Sequence, residues 1–219
     1  MFTGIVTAIG TIERVEDRSD LRVVISCPWD PDTIDIGASI ACSGVCLTVV
    51  ERGGEAGDAW FAVDVSGETV ARTSQDAWTA GGRLNLEPAL RLGDELGGHL
   101  VTGHVDAVGR VAETREIGGS TRIDILAPQA LAPFLAEKGS VTIDGVSLTV
   151  NTVADEPNGE TRFSLNIIPH TGAVTTLGTL EAGDPVHLEI DTVARYLQRM
   201  QSLRSDEPAS RPAASSVQK

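Results

Sequence analysis

Short runs of β-branched and other apolar residues, broken by clusters of Gly, Pro and Asp, set the pattern of the first half of the chain. Five runs stand out: Ile5 to Val15, Leu21 to Cys27, Ser39 to Val50, Ala59 to Val65 and Arg83 to Leu86. Breakers such as Pro28-Trp29-Asp30-Pro31 and Arg52-Gly53-Gly54 fall between them. The second half repeats the pattern at Val105–Val111, Ser120–Leu126, Ser140–Val150, Thr161–Ile167 and Val186–Ile190. No long helical pattern separates these runs, so each half predicts about six strands closed into a small antiparallel barrel rather than a βαβ arrangement. Within the second half Pro128 to Glu137 predicts a short helix that Pro133 limits, and Trp29 to Ile36 predicts a single turn in the first. From Asp191, a plausible N-cap, the pattern changes: Val193, Tyr196, Leu197 and Met200 recur at helical spacing. This terminal helix has no duplicate in the first half. Its apolar stripe suits either its own barrel or a neighbouring subunit. The Pro/Ser/Ala-rich tail beyond it predicts disorder.

The two halves are copies of one another. Thr3-Gly4-Ile5-Val6-Thr7-Ala8-Ile9-Gly10 aligns with Thr102-Gly103-His104-Val105-Asp106-Ala107-Val108-Gly109. Gly44-Val45-Cys46-Leu47-Thr48-Val49 aligns with Gly145-Val146-Ser147-Leu148-Thr149-Val150. Phe61 then matches Phe163, Thr69 matches Thr171, and Leu86-Glu87 matches Leu188-Glu189. The order of the blocks is kept, and the small drift in offset is what loops absorb. The expected units are 1–98, 99–190, a helix over 191–203 and a tail over 204–219.

Composition narrows the chemistry. Among 219 residues, 17 Lys and Arg face 31 Asp and Glu, a net charge of −14 that repels phosphate backbones and anionic lipid surfaces. Nucleic acid and membrane are therefore not expected partners. No apolar stretch has the length of a membrane helix, and the start MFTGIVTAIG lacks the charged region of a signal peptide. Cys27, Cys42 and Cys46 are an odd number without a CxxC spacing, which argues against a disulfide framework or a zinc site and for a cytoplasmic protein.

The opening MFTGIV, the block Gly44-Val45-Cys46-Leu47-Thr48, the segment Gly97-Gly98-His99-Leu100-Val101-Thr102-Gly103-His104 and the block Asp144-Gly145-Val146-Ser147-Leu148-Thr149 occur together in one family. Over roughly residues 1 to 200 the chain resembles the riboflavin synthase alpha-chain family. The resemblance implies an all-β fold of two homologous six-stranded antiparallel Greek-key barrels plus a C-terminal α-helix. It also implies a homotrimer that binds 6,7-dimethyl-8-ribityllumazine in each barrel. The implied reaction is a dismutation in which one lumazine gives a four-carbon unit to another. Riboflavin and 5-amino-6-(ribitylamino)uracil are formed without metal or cofactor. In such a trimer the facing pockets belong to neighbouring subunits, and two similar pockets turn a bimolecular encounter into a positioned one.

By the same resemblance, the first pocket takes Gly4-Ile5-Val6, Cys46-Leu47-Thr48 and Asp64-Val65-Ser66-Gly67-Glu68-Thr69. The second takes Gly103-His104-Val105, Lys138, Ser147-Leu148-Thr149 and Asn166-Ile167-Ile168-Pro169-His170-Thr171. Catalytic candidates are His104, Cys46, Ser147 and Asp191. The repeats disagree at Ile5/His104, Cys46/Ser147 and Glu68/His170, and donor and acceptor need different treatment. His104 can shuttle the proton of the lumazine 7-methyl group, since imidazole titrates near neutrality. Cys46 is either a thiolate nucleophile or a small buried hydrophobe, and Ser147 can direct a water or hydroxyl to the ring. Asp191 is either a site acid or only an N-cap. His99 positions the linker, His170 touches ligand from a turn, and His187, opposite Asn85 in the repeat, marks an exposed polar face. Trp29, Trp60 and Trp78, without counterparts, are packing residues. A non-catalytic lumazine-binding antenna of the same fold is the rival. A flavin oxidoreductase domain would need grouped arginines for a flavin phosphate, and Arg72, Arg83, Arg91 and Arg110 show no such grouping.

Overall fold

A computed structural model describes residues 1–205. Six strands close the first barrel: β1 (Ala8–Asp17), β2 (Leu21–Cys27), β3 (Ser39–Cys42), β4 (Val45–Glu55), β5 (Asp58–Val65) and β6 (Arg83–Pro88), in the order β1-β2-β5-β4-β3-β6. Alternate residues point inward, so Ile12, Val23, Ile25, Phe61, Val63 and Leu86 fill the interior. The second sheet contains β7 (Ala107–Ile117), β8 (Ser120–Ala127), β9 (Ser140–Ile143), β10 (Val146–Thr149), β11 (Thr152–Asp155), β12 (Thr161–Ile167) and β13 (Pro185–Ile190). Its order, β10-β9-β13-β7-β8-β12-β11, begins and ends with two pieces of one stretch that match β4. The sheet therefore curls as the first barrel does, with its own core of Ile125, Phe163, Leu165 and Leu188. Where β10 and β11 part, β4 carries a register shift between Val49 and Glu51.

Five local expectations are corrected. Ser39–Val50 and Ser140–Val150 are each a hairpin, not one strand. Ser43-Gly44 (φ 44°, 81°) and Asp144-Gly145 (φ 44°, 80°) form two-residue turns with both central residues at positive φ. The segments after β5 and β12 are short helices instead of turns: α1 (Gly67–Arg72), capped by Ser66 Oγ accepting from the Thr69 amide, and α2 (Pro169–Val174). Gln129–Phe134 is a 3-10 helix, tighter and shorter than expected, with Pro133 inside it.

Asn85 and His187, expected on an exposed face, are 1% and 4% exposed. They lie where the two halves meet, and each reaches across. Asn85 Nδ2 donates to Asp144 O (2.9 Å) and its Oδ1 accepts from the Thr176 amide (2.8 Å). His187 Nδ1 lies 2.9 Å from Ser43 O, and its Nε2 accepts from the Ser74 amide (3.1 Å). The contact requires a neutral ring with its proton on Nδ1. Burial pushes the neighbouring Asp144 carboxyl up, against the opposing pull of His187.

The hairpin tips abut on this local two-fold: a Cβ on Gly145 would stand 2.7 Å from Gly44 N. Gly145→Ala is expected to lower stability by about 1–2 kcal/mol from the left-handed backbone alone, and by more because the opposing tip must move. Chemical denaturation checks this, with the exposed Gly57→Ala, also at positive φ but with open space around it, isolating the backbone part. Helix α3 (Thr192–Ser205) follows β13 and takes in the first two residues assigned to the tail. The rest of that tail lies outside the described residues. Among the described residues no helix is long and apolar enough to cross a membrane.

Candidate functional site

Strand alternation places the candidate side chains together. On β4 the buried Val45, Leu47 and Val49 alternate with Cys46 and Thr48 on the other face, and on β5 the exposed Asp64 separates the buried Val63 and Val65. In the second half Ser147 and Thr149 alternate with Val146 and Leu148, and exposed Asn166 separates Leu165 and Ile167. The chemistry-bearing residues thus lie on the outer face of each sheet, while Leu47, Val65 and Ile167 have side chains in the core.

The assignment of segments to pockets is corrected by the chain's crossing. Phe2 and Val101 pair with each other as an antiparallel bridge, both buried at the join between the halves. Beyond it each segment runs onto the other half's strand. The Ser147 amide donates to Gly4 O (2.8 Å), and the Cys46 amide donates to Gly103 O (2.8 Å). Val6 packs on the second core and Val105 on the first. Gly4-Ile5-Val6 therefore lies against the Ser147 strand, and Gly103-His104-Val105 lies against the Cys46 strand and lines a cavity with it. The two Thr-Gly pairs owe their glycines to this approach: at φ 77° and 78°, a Cβ would lie 2.5 Å from Ser147 Cβ and 2.6 Å from Cys46 Cβ respectively.

A cavity of about 180 Å³ results on the first half, lined by Val45, Cys46, Glu68, Thr69, Gly103, His104 and Val105, with Arg72 and Thr73. Arg72 bonds Glu68 (2.8 Å) on the rim, and both are exposed. Thr48 is exposed beyond the cavity, and Asp64 is held by Arg22 (2.6 Å). In the second half Lys138 is exposed at a positive-φ turn (66°), His170 is exposed at the start of α2, and Ile168 precedes it. A larger cavity of about 700 Å³ lies between the first barrel and the connector, but of the candidates it contains only Ile5. Its lining carries the carboxylates of Asp35, Glu87, Asp94 and Glu95 but neither Cys46, Ser147 nor a histidine.

Two buried carboxylates hold the crossing segments. Glu87 accepts from the Thr3 amide and hydroxyl (2.7 Å each) and from the Gly4 amide (2.9 Å). Glu189 accepts from the Thr102 amide and hydroxyl (2.7 Å each), the Gly103 amide (2.9 Å) and the His104 amide (3.2 Å). Burial raises the Glu87 carboxyl, and the hydrogen bonds from Thr3, Gly4 and Ile5 oppose it. Sequence reasoning saw the repeated Leu-Glu but gave it no role.

His99 is also more than a linker residue. Its Nδ1 lies 2.7 Å from Ser147 Oγ, and its Nε2 lies 3.3 Å from Thr142 Oγ1. With Nε2–H donating to the Thr142 hydroxyl, Nδ1 accepts from Ser147. Burial holds the His99 pKa below its ordinary 6.5, although Asp191 and Glu189 pull it upward. His99 is therefore neutral at pH 7 and able to receive a proton. NMR titration of the imidazoles is expected to place the His99 midpoint below 6.5; a midpoint above it would remove the burial argument. Asp191 caps α3, its Oδ1 accepting from the Val193 amide (2.8 Å).

A family model described as the lumazine binding domain matches residues 3–89 and again 102–191. The riboflavin synthase of Brucella abortus is 47% identical over 204 residues, covering 91% of this chain and 98% of that protein. The riboflavin synthase of Bacillus subtilis is 34% identical over 200 residues, covering 91% and 89%. A crystal structure of LumP complexed with riboflavin superposes with a TM-score of 0.72 at 26% identity, covering 87% of this chain and 99% of that one.

Proposed function

The chain belongs to the riboflavin synthase family of paired lumazine binding domains, and from that premise we propose that it makes riboflavin by dismutation of 6,7-dimethyl-8-ribityllumazine. One lumazine loses a four-carbon unit and leaves as 5-amino-6-(ribitylamino)uracil; the other gains the unit and becomes riboflavin. The observation that carries this reading is the unlike pair of groupings at repeat-equivalent places: Cys46 and His104 share one cavity, whereas Ser147 lies 2.7 Å from His99. Two bound copies of one substrate then meet different chemistry.

In this reading Cys46, Thr48, Asp64 and Ser66 through Thr69 take one lumazine with Gly103-His104-Val105. Gly4-Ile5-Val6, Lys138, Ser147, Thr149 and Asn166 through Thr171 take the other. Backbone amides and carbonyls along the strands read the uracil-like edge, and hydroxyls hold the ribityl chain. His104 takes the 7-methyl proton, while Ser147 directs a water to the ring, its hydroxyl accepting the proton that the water gives up as it passes its own to His99. Cys46 is placed to add to the ring from the other pocket, and Asp191 stands behind His99 as a charge.

The subunits assemble as a ring of three, a cytoplasmic homotrimer, with the first pocket of one facing the second pocket of the next. The helix 191–203 supports assembly because Val193, Tyr196, Leu197 and Met200 are all more than half exposed and would be covered there. Protein incubated with the lumazine, without added cofactor, is expected to consume two substrates per riboflavin formed. Tight binding without riboflavin would instead favour an antenna, the reading that the likeness to LumP keeps open.

A further inference from the structure

The two crossing segments are anchored unequally. The first ends at Thr7, whose amide (2.9 Å) and hydroxyl (3.4 Å) donate to Leu86 O. At the matching place in the second stands Asp106, a carboxylate. Its amide donates to Leu188 O (2.8 Å), as Thr7 does in the first half. Its side chain adds a connection that the first half lacks. Oδ1 accepts from Arg195 Nη1 (2.8 Å), and Oδ2 accepts from Arg195 Nη2 (2.8 Å) and the Ile190 amide (2.9 Å). The pair is a bidentate fork, with the Asp106 side chain only 14% exposed.

Arg195 belongs to the first turn of α3, and His104 lies two residues before Asp106. The His104 segment is therefore clamped at one end by Glu189 and at the other by the helix. Along α3, Ala194 and Gln198 turn toward the chain while the apolar stripe faces away. The helix thus has one face for its own domain and another for a different surface.

We infer that Asp106 and Arg195 form a positioning pair through which helix α3 fixes His104 over the Cys46 pocket. The inference rests on the proposed synthase reading for its catalytic consequence, but the mechanical link can be read without turnover. With Arg195 removed, the carboxylate keeps only the Ile190 amide, and the segment from Gly103 to Asp106 gains freedom at the end nearest the imidazole. Small displacements of a proton-transfer group cost rate more than they cost substrate binding.

Arg195→Gln is expected to lower kcat by about 10–100-fold with KM changed far less, and to speed amide exchange at Gly103, His104 and Val105. Arg195→Lys should recover only part of the rate, because an ammonium cannot reproduce the fork. Asp106→Asn combined with Arg195→Gln should be no worse than the poorer single variant, since the two act as a unit. Arg199→Gln, an exposed change on the same helix, should match the parent protein. Unchanged exchange at residues 103–105 in Arg195→Gln overturns the inference. So does a rate loss that disappears at protein concentrations restoring the oligomer, since the helix would then act through assembly alone. If the parent protein itself makes no riboflavin, the synthase reading fails, and the exchange measurement still decides the anchor.

Discussion

Glu189→Gln is expected to be among the most damaging single changes in the molecule. The carboxylate is 2% exposed and accepts four hydrogen bonds from three consecutive residues, Thr102, Gly103 and His104. A glutamine has one acceptor oxygen and turns an NH2 toward the remaining donors. With the NH2 toward Gly103 and His104 two amides lose their partner and face another donor; turned the other way it strands the Thr102 amide, while the Thr102 hydroxyl can rotate to accept. Each unsatisfied buried donor costs about 1–3 kcal/mol, so a loss of about 2–4 kcal/mol is expected. For a chain of this size that lowers Tm by roughly 5–15 °C. Because the same donors carry Gly103 and His104 onto the Cys46 strand, riboflavin formation should fall even at temperatures where the variant is folded. Calorimetry and turnover on one preparation check both parts. Glu189→Gln with parental Tm and parental kcat would show that the segment is held by the Phe2–Val101 bridge and the Cys46 contact instead. Glu87→Gln should act through Gly4 on the other pocket, with three donors affected rather than four.

Ser147→Ala is expected to lower kcat by about 10²-fold or more, the usual scale for losing a positioned proton-transfer pair. The change removes one small polar atom at a half-buried position, so stability should move little. His99→Ala should lose a similar factor, and the double variant should be no slower than the worse single one, because the serine and imidazole act together. Additive losses would mean that His99 serves the fold of the connector and Ser147 acts without it. Alanine at Cys46 distinguishes its two readings in the same assay: a thiolate nucleophile costs orders of magnitude, a packing residue does not.

Much of this arrangement could be read from the chain because the repeat is written in chemically distinctive blocks. Thr-Gly, the hydroxyl-bearing strand and Leu-Glu recur in order, and β-branched runs mark the strands to within a few residues. The hairpins at 43–44 and 144–145 were hidden inside those runs, although Asp144-Gly145 is the dipeptide that a two-residue turn favours. The crossing of the two Thr-Gly segments has no local signature. Gly4 and Gly103 occur in near-identical surroundings, so either could lie on either strand, and only the Phe2–Val101 bridge decides. Asn85 and His187 mislead for a related reason. Polar residues on a strand normally face water, but here both satisfy backbone groups of the opposite half. Glu87 and Glu189 look like surface carboxylates until the amides converging on them are seen. His99 meets Ser147 only because the connector folds back against β10, which no local spacing announces.

The central claim, that two unlike pockets on neighbouring subunits cooperate in one reaction, is tested most directly by mixing defects. His104→Ala removes the proton shuttle from the first pocket, and Ser147→Ala spoils the second. Each variant alone is expected to be nearly inactive. When the two chains are co-expressed in equal amounts, a subunit contact is intact wherever the first pocket of a Ser147→Ala chain faces the second pocket of a His104→Ala chain. Random assembly makes about one contact in four of this kind, so activity should return to about a quarter of that of the parent protein. Mixed assemblies no more active than either variant alone would place both reacting lumazines on a single chain and contradict the account.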